Sequence, residues 1–286
     1  MVTARSPTIK KALKVHPDNR LNALPGNRWL FFTRSILKTD YDKNIGFELR
    51  EAHGSSKPPQ LMKEFIEFFT RRNEIVFDPF SGVGGTLLGA SMSNRRAIGV
   101  ELNRHWVEVY KRVCKVERLR EQEVFVGDCL EILEDYRQKW AARFHLVLTD
   151  PPYGPYLDKS MCNGKYLNRN RVARLQKSSV SRKDLGNSKN LDQYLRKMHR
   201  FFEAVYPVLM DKRYLILITR DCYGNGRYTM TSARLADIAE GEGFVLKGEI
   251  IWHQNGTRLR PYGYPFVFVP NIIHHNILIF RKEEAE

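Results

Sequence analysis

Short apolar runs recur along this chain, each separated from the next by a helix-length stretch of mixed character. Ile75-Val76-Phe77, Ala97-Ile98-Gly99-Val100, Val124-Phe125-Val126, His145-Leu146-Val147-Leu148 and Tyr214-Leu215-Ile216-Leu217-Ile218 read as strands buried on both faces. Helical patterns fall over Pro59 to Thr70, Thr86 to about Asn94, Arg104 to about Leu119, 129–139, about 191–209 and about 231–242. The first of these places Leu61, Phe65, Phe68 and Phe69 on one face. Phe244 to Trp252 and Asn276 to Phe280 are two further strands, expected to pair as a hairpin across a long connection at 253–275. Strands alternating with helices predict an α/β fold: a doubly wound, mostly parallel seven-stranded sheet ending in an antiparallel hairpin, with ligands at the carboxyl edge.

The rest of the chain changes this picture only locally. Residues 1–28 mix Lys, Arg, Pro and Asn without periodicity and predict a basic N-terminal arm, mobile or added to an edge. Trp29-Leu30-Phe31-Phe32 begins the ordered part, so 29–286 is expected to be a single domain, interrupted by a basic insertion at about 155–190. At 286 residues the chain can bury one large core. A formal charge of +15 and a pI near 9.7 point to a polyanionic partner. No apolar run approaches the ~20 residues of a membrane span, and no signal-peptide core is visible at the N-terminus, so a soluble cytoplasmic protein is expected. Cys114, Cys129, Cys162 and Cys222 are scattered without C-x-x-C spacing, which supports neither a metal site nor a disulfide framework.

Two turns carry the chemistry. Asp78-Pro79-Phe80-Ser81-Gly82-Val83-Gly84-Gly85-Thr86 leaves one predicted strand, and its glycines let a nucleoside cofactor approach bare backbone. Thr149-Asp150-Pro151-Pro152-Tyr153-Gly154 leaves another and sets a carboxylate, rigid backbone carbonyls and an aromatic face at the same sheet edge. Glu101, followed by Leu102, ends the next strand about 20 residues after the glycines, where an acid can accept from ribose hydroxyls. Asp128, before Cys129, ends a third; it can accept from an adenine amino group, cap the following helix, or do both. Asp78 can orient its own turn or meet the cofactor's amino group.

Together the turns resemble those of the S-adenosylmethionine-dependent amino-methyltransferases of DNA, which methylate adenine N6 or cytosine N4. The resemblance covers roughly residues 45 to 282 and implies a Rossmann-like fold with S-adenosyl-L-methionine as cofactor. On it, Phe80, Ser81, Gly82, Gly84, Gly85, Thr86, Glu101, Leu102, Asp128 and Cys129 surround the cofactor. The segment His53-Gly54-Ser55-Ser56-Lys57-Pro58-Pro59-Gln60 resembles the family motif that closes over the methionine tail, where Lys57 or Ser56 meets the cofactor carboxylate; a Pro-initiated helix start is the plain reading of the same residues. Asp150, with Pro151 and Pro152, would hold the two hydrogens of an exocyclic amine, and Tyr153 would stack on the base after its extrusion from the duplex. Asp at the first position of this turn is usual among adenine enzymes. The absence of a Pro-Cys dipeptide disfavours covalent methylation at cytosine C5.

Residues 159–190 hold nine Lys or Arg against one acid, Asp184. This charge directly follows the catalytic turn, where a nucleic-acid backbone must pass, so Lys165, Arg169, Arg171, Arg174 and Lys177 are expected to hold phosphates. Arg258 and Arg260, interleaved with Tyr262 and Tyr264, form a second candidate contact. The cofactor motifs precede the catalytic turn here, the reverse of many relatives, and no large separate recognition domain is expected. Either the insertion and the basic arm read a short site, or specificity is low or supplied by a specificity or restriction partner; a homodimer is the other candidate assembly. Double-stranded DNA is the expected substrate. RNA guanine-N2 methyltransferases also use Asp-Pro-Pro-Tyr-Gly, but usually carry an additional N-terminal RNA-binding domain, for which about 50 residues leave no room.

Overall fold

The computed structural model describes residues 14–41, 45–54, 56–154, 185–255 and 259–283. The first half runs α1 (Gly26–Phe32), β1 (Ile36–Thr39), α2 (Phe47–Arg50), α3 (Pro59–Phe69), β2 (Ile75–Asp78), α4 (Gly85–Met92), β3 (Arg96–Glu101), α5 (Arg104–Glu117), β4 (Glu123–Val126), α6 (Cys129–Asp135) and β5 (Phe144–Thr149). The second runs α7 (Leu191–Val205), β6 (Leu209–Thr219), β7 (Cys222–Gly224), β8 (Arg227–Thr229), α8 (Thr231–Gly241), β9 (Phe244–Gln254) and β10 (His274–Lys282).

Helix starts follow local chemistry. Pro59 opens α3 at a position whose amide has no helical partner. Asn103, Asp128 and Asn190 cap α5, α6 and α7 with side-chain oxygens that accept from amides of the first turn.

The strands order as β4-β3-β2-β5-β6-β10-β9-β1. All neighbours are parallel except β10, which runs antiparallel to β6 and β9. The chain winds outward from β2 through β3 to β4, then returns to build β5 and β6 on the other side. The carboxyl ends of β2 and β5 therefore flank the switch point, where a doubly wound sheet opens a crevice for ligands. The sheet is the expected one with an addition. Seven strands were predicted and the sheet has eight among the described residues, because β1 adds to the edge beside β9. Only four residues long and half exposed, β1 lacks the apolar run that marks its neighbours; the indole of Trp252 holds it by donating to Thr39 Oγ1 at 2.9 Å. A separate two-stranded hairpin, β7–β8, lies outside the main sheet.

Successive residues of the buried strands feed two cores. Leu215 and Leu217 join Phe77, Trp140, Phe144 and Phe201 on one face; Ile216 and Ile218 join Leu61, Phe65, Val76 and Trp252 on the other. That two-sided burial explains the unbroken apolar runs. The chain ahead of α1 is anchored as well. Asn22 is fully buried, donates to Phe68 O and accepts from the Leu24 amide and the Trp29 indole. Among the described residues no helix is long and apolar enough to cross a membrane.

Candidate active site

The turn after β2 is held from beneath by Asp78. Its buried carboxylate accepts from Phe80 N at 3.1 Å and from Thr149 Oγ1 at 2.7 Å, tying this turn to the end of β5. Burial pushes the Asp78 pKa up to about 6, against the hydrogen bonds it receives from Thr86, Thr149 and Phe80. Gly84 has φ +80°, and a Cβ there would lie 2.2 Å from the Tyr110 ring, so no larger residue fits. The hydroxyls of Ser81 and Thr86 donate to Val100 O and Leu148 O, which makes them parts of the turn's own framework.

The next two strands supply carboxylates to the same edge. Glu101, buried at the end of β3, accepts from Gly82 N at 2.9 Å and from Asn103 N at 2.8 Å. Gly127 N donates to Glu101 O, which fixes the end of β4 beside β3. Asp128 caps α6 through Oδ1, which accepts from Leu130 N at 2.9 Å and Glu131 N at 3.3 Å. Among the described residues nothing donates to its Oδ2.

Beyond β5, Asp150 meets two donors from its own chain. Lys57 Nζ lies 2.6 Å from Oδ2, and the Tyr153 hydroxyl donates to Oδ1. Burial raises the pKa of Asp150, and the Lys57 charge opposes that rise. Lys57 is itself buried; its carbonyl accepts from the buried Arg50 guanidinium at 2.6 Å and its ammonium lies 5.1 Å from the centre of the Tyr153 ring. His275 meets the same ring edge-on at 5.8 Å. Burial and the nearby Lys57 and Arg220 push the His275 pKa down to about 2, so the imidazole is neutral packing against the turn.

One cavity of about 810 Å³ joins these parts, lined by Glu101 and Asp128 at one end and by Lys57, Asp150 and Tyr153 at the other. Every residue assigned to the cofactor from the sequence lines it except Gly84, which faces Tyr110. Asp150, Pro151, Pro152 and Tyr153 line it too. Lys57 donates to Asp150, the residue read as catalytic, a contact that no local pattern announced. Thr149 was passed over for the same reason: its role is the bond to Asp78. Among the nucleic-acid candidates, Lys165, Arg169, Arg171, Arg174, Lys177 and Arg258 lie outside the described residues. Arg260 is described, and its backbone amide and carbonyl are both bonded to the Asn271 side chain.

The family described as DNA methylase matches residues 9–112 and 144–286, most of the chain. The chain belongs to that family. Its methyl donor is S-adenosylmethionine. A second family, RNA cap guanine-N2 methyltransferase, matches residues 73–207. Type II methyltransferase M.HindIII of Haemophilus influenzae is 49% identical over 51 residues, 18% of this chain and 16% of that protein. DNA adenine methyltransferase YhdJ of Escherichia coli is 33% identical over 86 residues, 30% of this chain and 26% of that protein. A tRNA (guanine(10)-N2)-dimethyltransferase of Pyrococcus abyssi is 31% identical over 97 residues, 34% of this chain and 28% of that protein. The matches thus span less than a third of these relatives' lengths. Among solved structures, TrmN from Thermus thermophilus shares the fold, with a TM-score of 0.50 at 12% identity over 83% of this chain and 53% of that one.

The donor set of the site fits S-adenosylmethionine. Bare backbone at Gly82, a carboxylate at Glu101 and the open Oδ2 of Asp128 offer acceptors and close approach to a nucleoside carrying hydroxyls and an amine. Among the described residues no cluster of His, Cys, Asp or Glu could hold a metal ion.

Two measurements follow from this geometry. Replacing Glu101 with Ala should raise the cofactor dissociation constant by about ten- to a hundredfold, the worth of one charge-assisted hydrogen bond; calorimetric titration reads it, and an unchanged constant would leave Glu101 a bracket for Gly82 alone. The second concerns Asp78. Its folded pKa of about 6 lies above the ordinary 3.8, so its contribution to stability is full below about pH 4 and is lost as pH rises through about 6. Asp78→Asn keeps an acceptor for Phe80 and Thr149. Compared with that variant, the wild type should lose up to about 3 kcal/mol between pH 4 and pH 7 in urea unfolding.

Proposed function

We propose that this DNA methylase transfers the methyl group of S-adenosylmethionine to the exocyclic amine of a base in DNA, with adenine N6 as its target. The observation that carries the reading is the single cavity in which Asp150-Pro151-Pro152-Tyr153 shares walls with Glu101 and Asp128.

When bound, the cofactor supplies an electrophilic methyl group on a sulfonium. An exocyclic amine is a poor nucleophile because its lone pair is delocalised into the ring. Asp150 and the carbonyl of Pro151, accepting its two hydrogens, favour a tetrahedral nitrogen with the lone pair directed at the methyl. Positioning and electrostatics supply the rate, with no covalent step on the protein. Each oxygen of Asp150 accepts one hydrogen bond in the free protein and keeps a second lone pair, so the arriving amine can share the carboxylate or replace one donor. The Tyr153 hydroxyl is the one that can leave: released from Asp150, its ring can turn to stack on the base, with Phe80 as a second wall. Lys57 stays and keeps the carboxylate ionised. Because burial raises its pKa, Asp150 can also take up the proton that the methylated amine sheds.

Cytosine N4 offers the same two hydrogens and is the nearest alternative. A second reading, methylation of guanine N2 in RNA, is favoured by the guanine-N2 family match over 73–207 and by Gly154 after Tyr153. Support for DNA comes from the broader match, which includes residues 208–286 with β9, β10 and the loop between them.

Labelled cofactor incubated with unmethylated genomic duplex DNA should deliver label to the DNA. Asp150→Ala should remove that transfer, a loss of at least about 10²–10³-fold, the scale set by deleting one electrostatic group at a reacting centre. The cofactor dissociation constant should stay within about threefold of wild type, because the carboxylate serves the target amine; a large loss of cofactor binding would move Asp150 to the other end of the cavity.

A further inference from the structure

Between β9 and β10 the described chain 259–273 buries Ile272 but exposes a run of apolar side chains from Tyr264 to Phe268. Phe266 and Phe268 are 88% and 87% exposed, the highest values among the described large hydrophobic residues, with Tyr264 and Val267 beside them at 75% and 63%. A contiguous apolar patch of this kind marks an interaction site.

The loop is built to hold that patch out. Asn271 closes its neck, accepting from Arg260 N at 2.9 Å and donating to Arg260 O at 2.8 Å. At its tip Gly263 takes φ +75°, and its carbonyl accepts from Phe266 N and Val267 N. A Cβ at Gly263 would lie 2.3 Å from Val267 O, so the turn depends on glycine. The two phenylalanines are thus carried on a frame made by the loop's own backbone.

Its location narrows the partner. β9 runs parallel to β6, since both are antiparallel to β10, so the loop emerges at the edge that carries Asp150. At its far end His275 packs on Tyr153, and Arg220 interacts electrostatically with both Tyr153 and Tyr262. Residues 253–275 contain no Asp or Glu, while Arg258 and Arg260 flank the loop's start. An apolar tip on an acid-free, cationic base beside the catalytic turn is suited to a polyanion with apolar faces inside it. That description fits stacked bases between phosphate backbones.

We propose that Phe266 and Phe268 form a wedge that enters the base stack of duplex DNA next to the base delivered to Asp150. The proposal rests on the DNA reading above. Extruding a base leaves a gap in the stack; an inserted ring restores the lost stacking and holds the duplex open. Every base has a π-face, so the wedge acts whatever the flanking sequence.

The test uses the full chain and a Phe266→Ala/Phe268→Ala double variant, whose exposed positions should leave thermal unfolding and cofactor affinity unchanged. On genomic duplex DNA the variant should lose at least about tenfold in kcat/KM, the worth of one stacked base. On the same DNA denatured by heat, where no stack has to be opened, it should lose less than about twofold. In parallel, a Phe266→Trp variant should show quenched emission when mixed-sequence duplex DNA is added, a readout independent of activity. Equal losses on both DNA forms, or no loss on duplex, overturn the wedge and leave the methylation reading standing. Quenching without methyl transfer to any DNA supports the wedge and overturns the methylation reading. A wild-type dimer that the double variant converts to a monomer without DNA, measured by sedimentation, assigns the patch to a second copy of the chain and overturns the wedge.

Discussion

The site depends on a largely buried ion pair, buried Lys57 with half-buried Asp150, formed by residues 93 positions apart. Taking both charges out of water costs several kcal/mol for each, which is recovered only when geometry is good and the remaining hydrogen bonds are made. Here the Tyr153 hydroxyl takes the second oxygen of Asp150, while the buried Arg50 fixes the carbonyl of Lys57. The pair therefore binds the segment ahead of α3 to the turn after β5. That segment also roofs the start of α4: a Cβ on Gly85 would lie 3.0 Å from Lys57 O. The segment carrying Lys57 thus lies against both the start of α4 and the turn that carries Asp150.

Around this pair, neighbouring strand ends are tied together one by one. Thr149 bonds Asp78 across β5 and β2, Gly82 bonds Glu101 across the β2 turn and β3, and Gly127 bonds Glu101 O across β4 and β3. Each bond joins turns that are distant in sequence and adjacent at the sheet edge. Direct methyl transfer needs little covalent chemistry from a protein but demands that donor and acceptor stay aligned. An edge stitched in this way limits how far the walls can drift, and it depends on parallel strands that deliver all their turns to one side.

The sequence made much of this legible, for physical reasons. Strands such as Leu215-Ile216-Leu217-Ile218 are buried on both faces, so their apolar runs stand out from any helix. The turns carrying Gly82, Glu101, Asp128 and Asp150 follow such runs directly, and the structure brings them to one cavity. β1 escaped notice because an edge strand of four residues with Ile36 exposed carries almost no pattern. The hairpin β7–β8, with three residues in each strand, is shorter still. The bonds Lys57–Asp150, Thr149–Asp78 and Asn271–Arg260 are through-space facts, and no spacing rule links their partners. Tyr153 shows the limit within a recognised motif: its position followed from the sequence, but its bond to Asp150 did not.

The central claim is that Asp150 receives the exocyclic amine of a DNA base. It is tested most directly by the identity of the methylated nucleoside. Unmethylated duplex DNA and transcribed RNA, each incubated with the protein and labelled S-adenosylmethionine, would be digested to nucleosides and separated by mass spectrometry. The account predicts label in N6-methyl-2′-deoxyadenosine and none in RNA. Label in N2-methylguanosine with DNA left unmodified would contradict it.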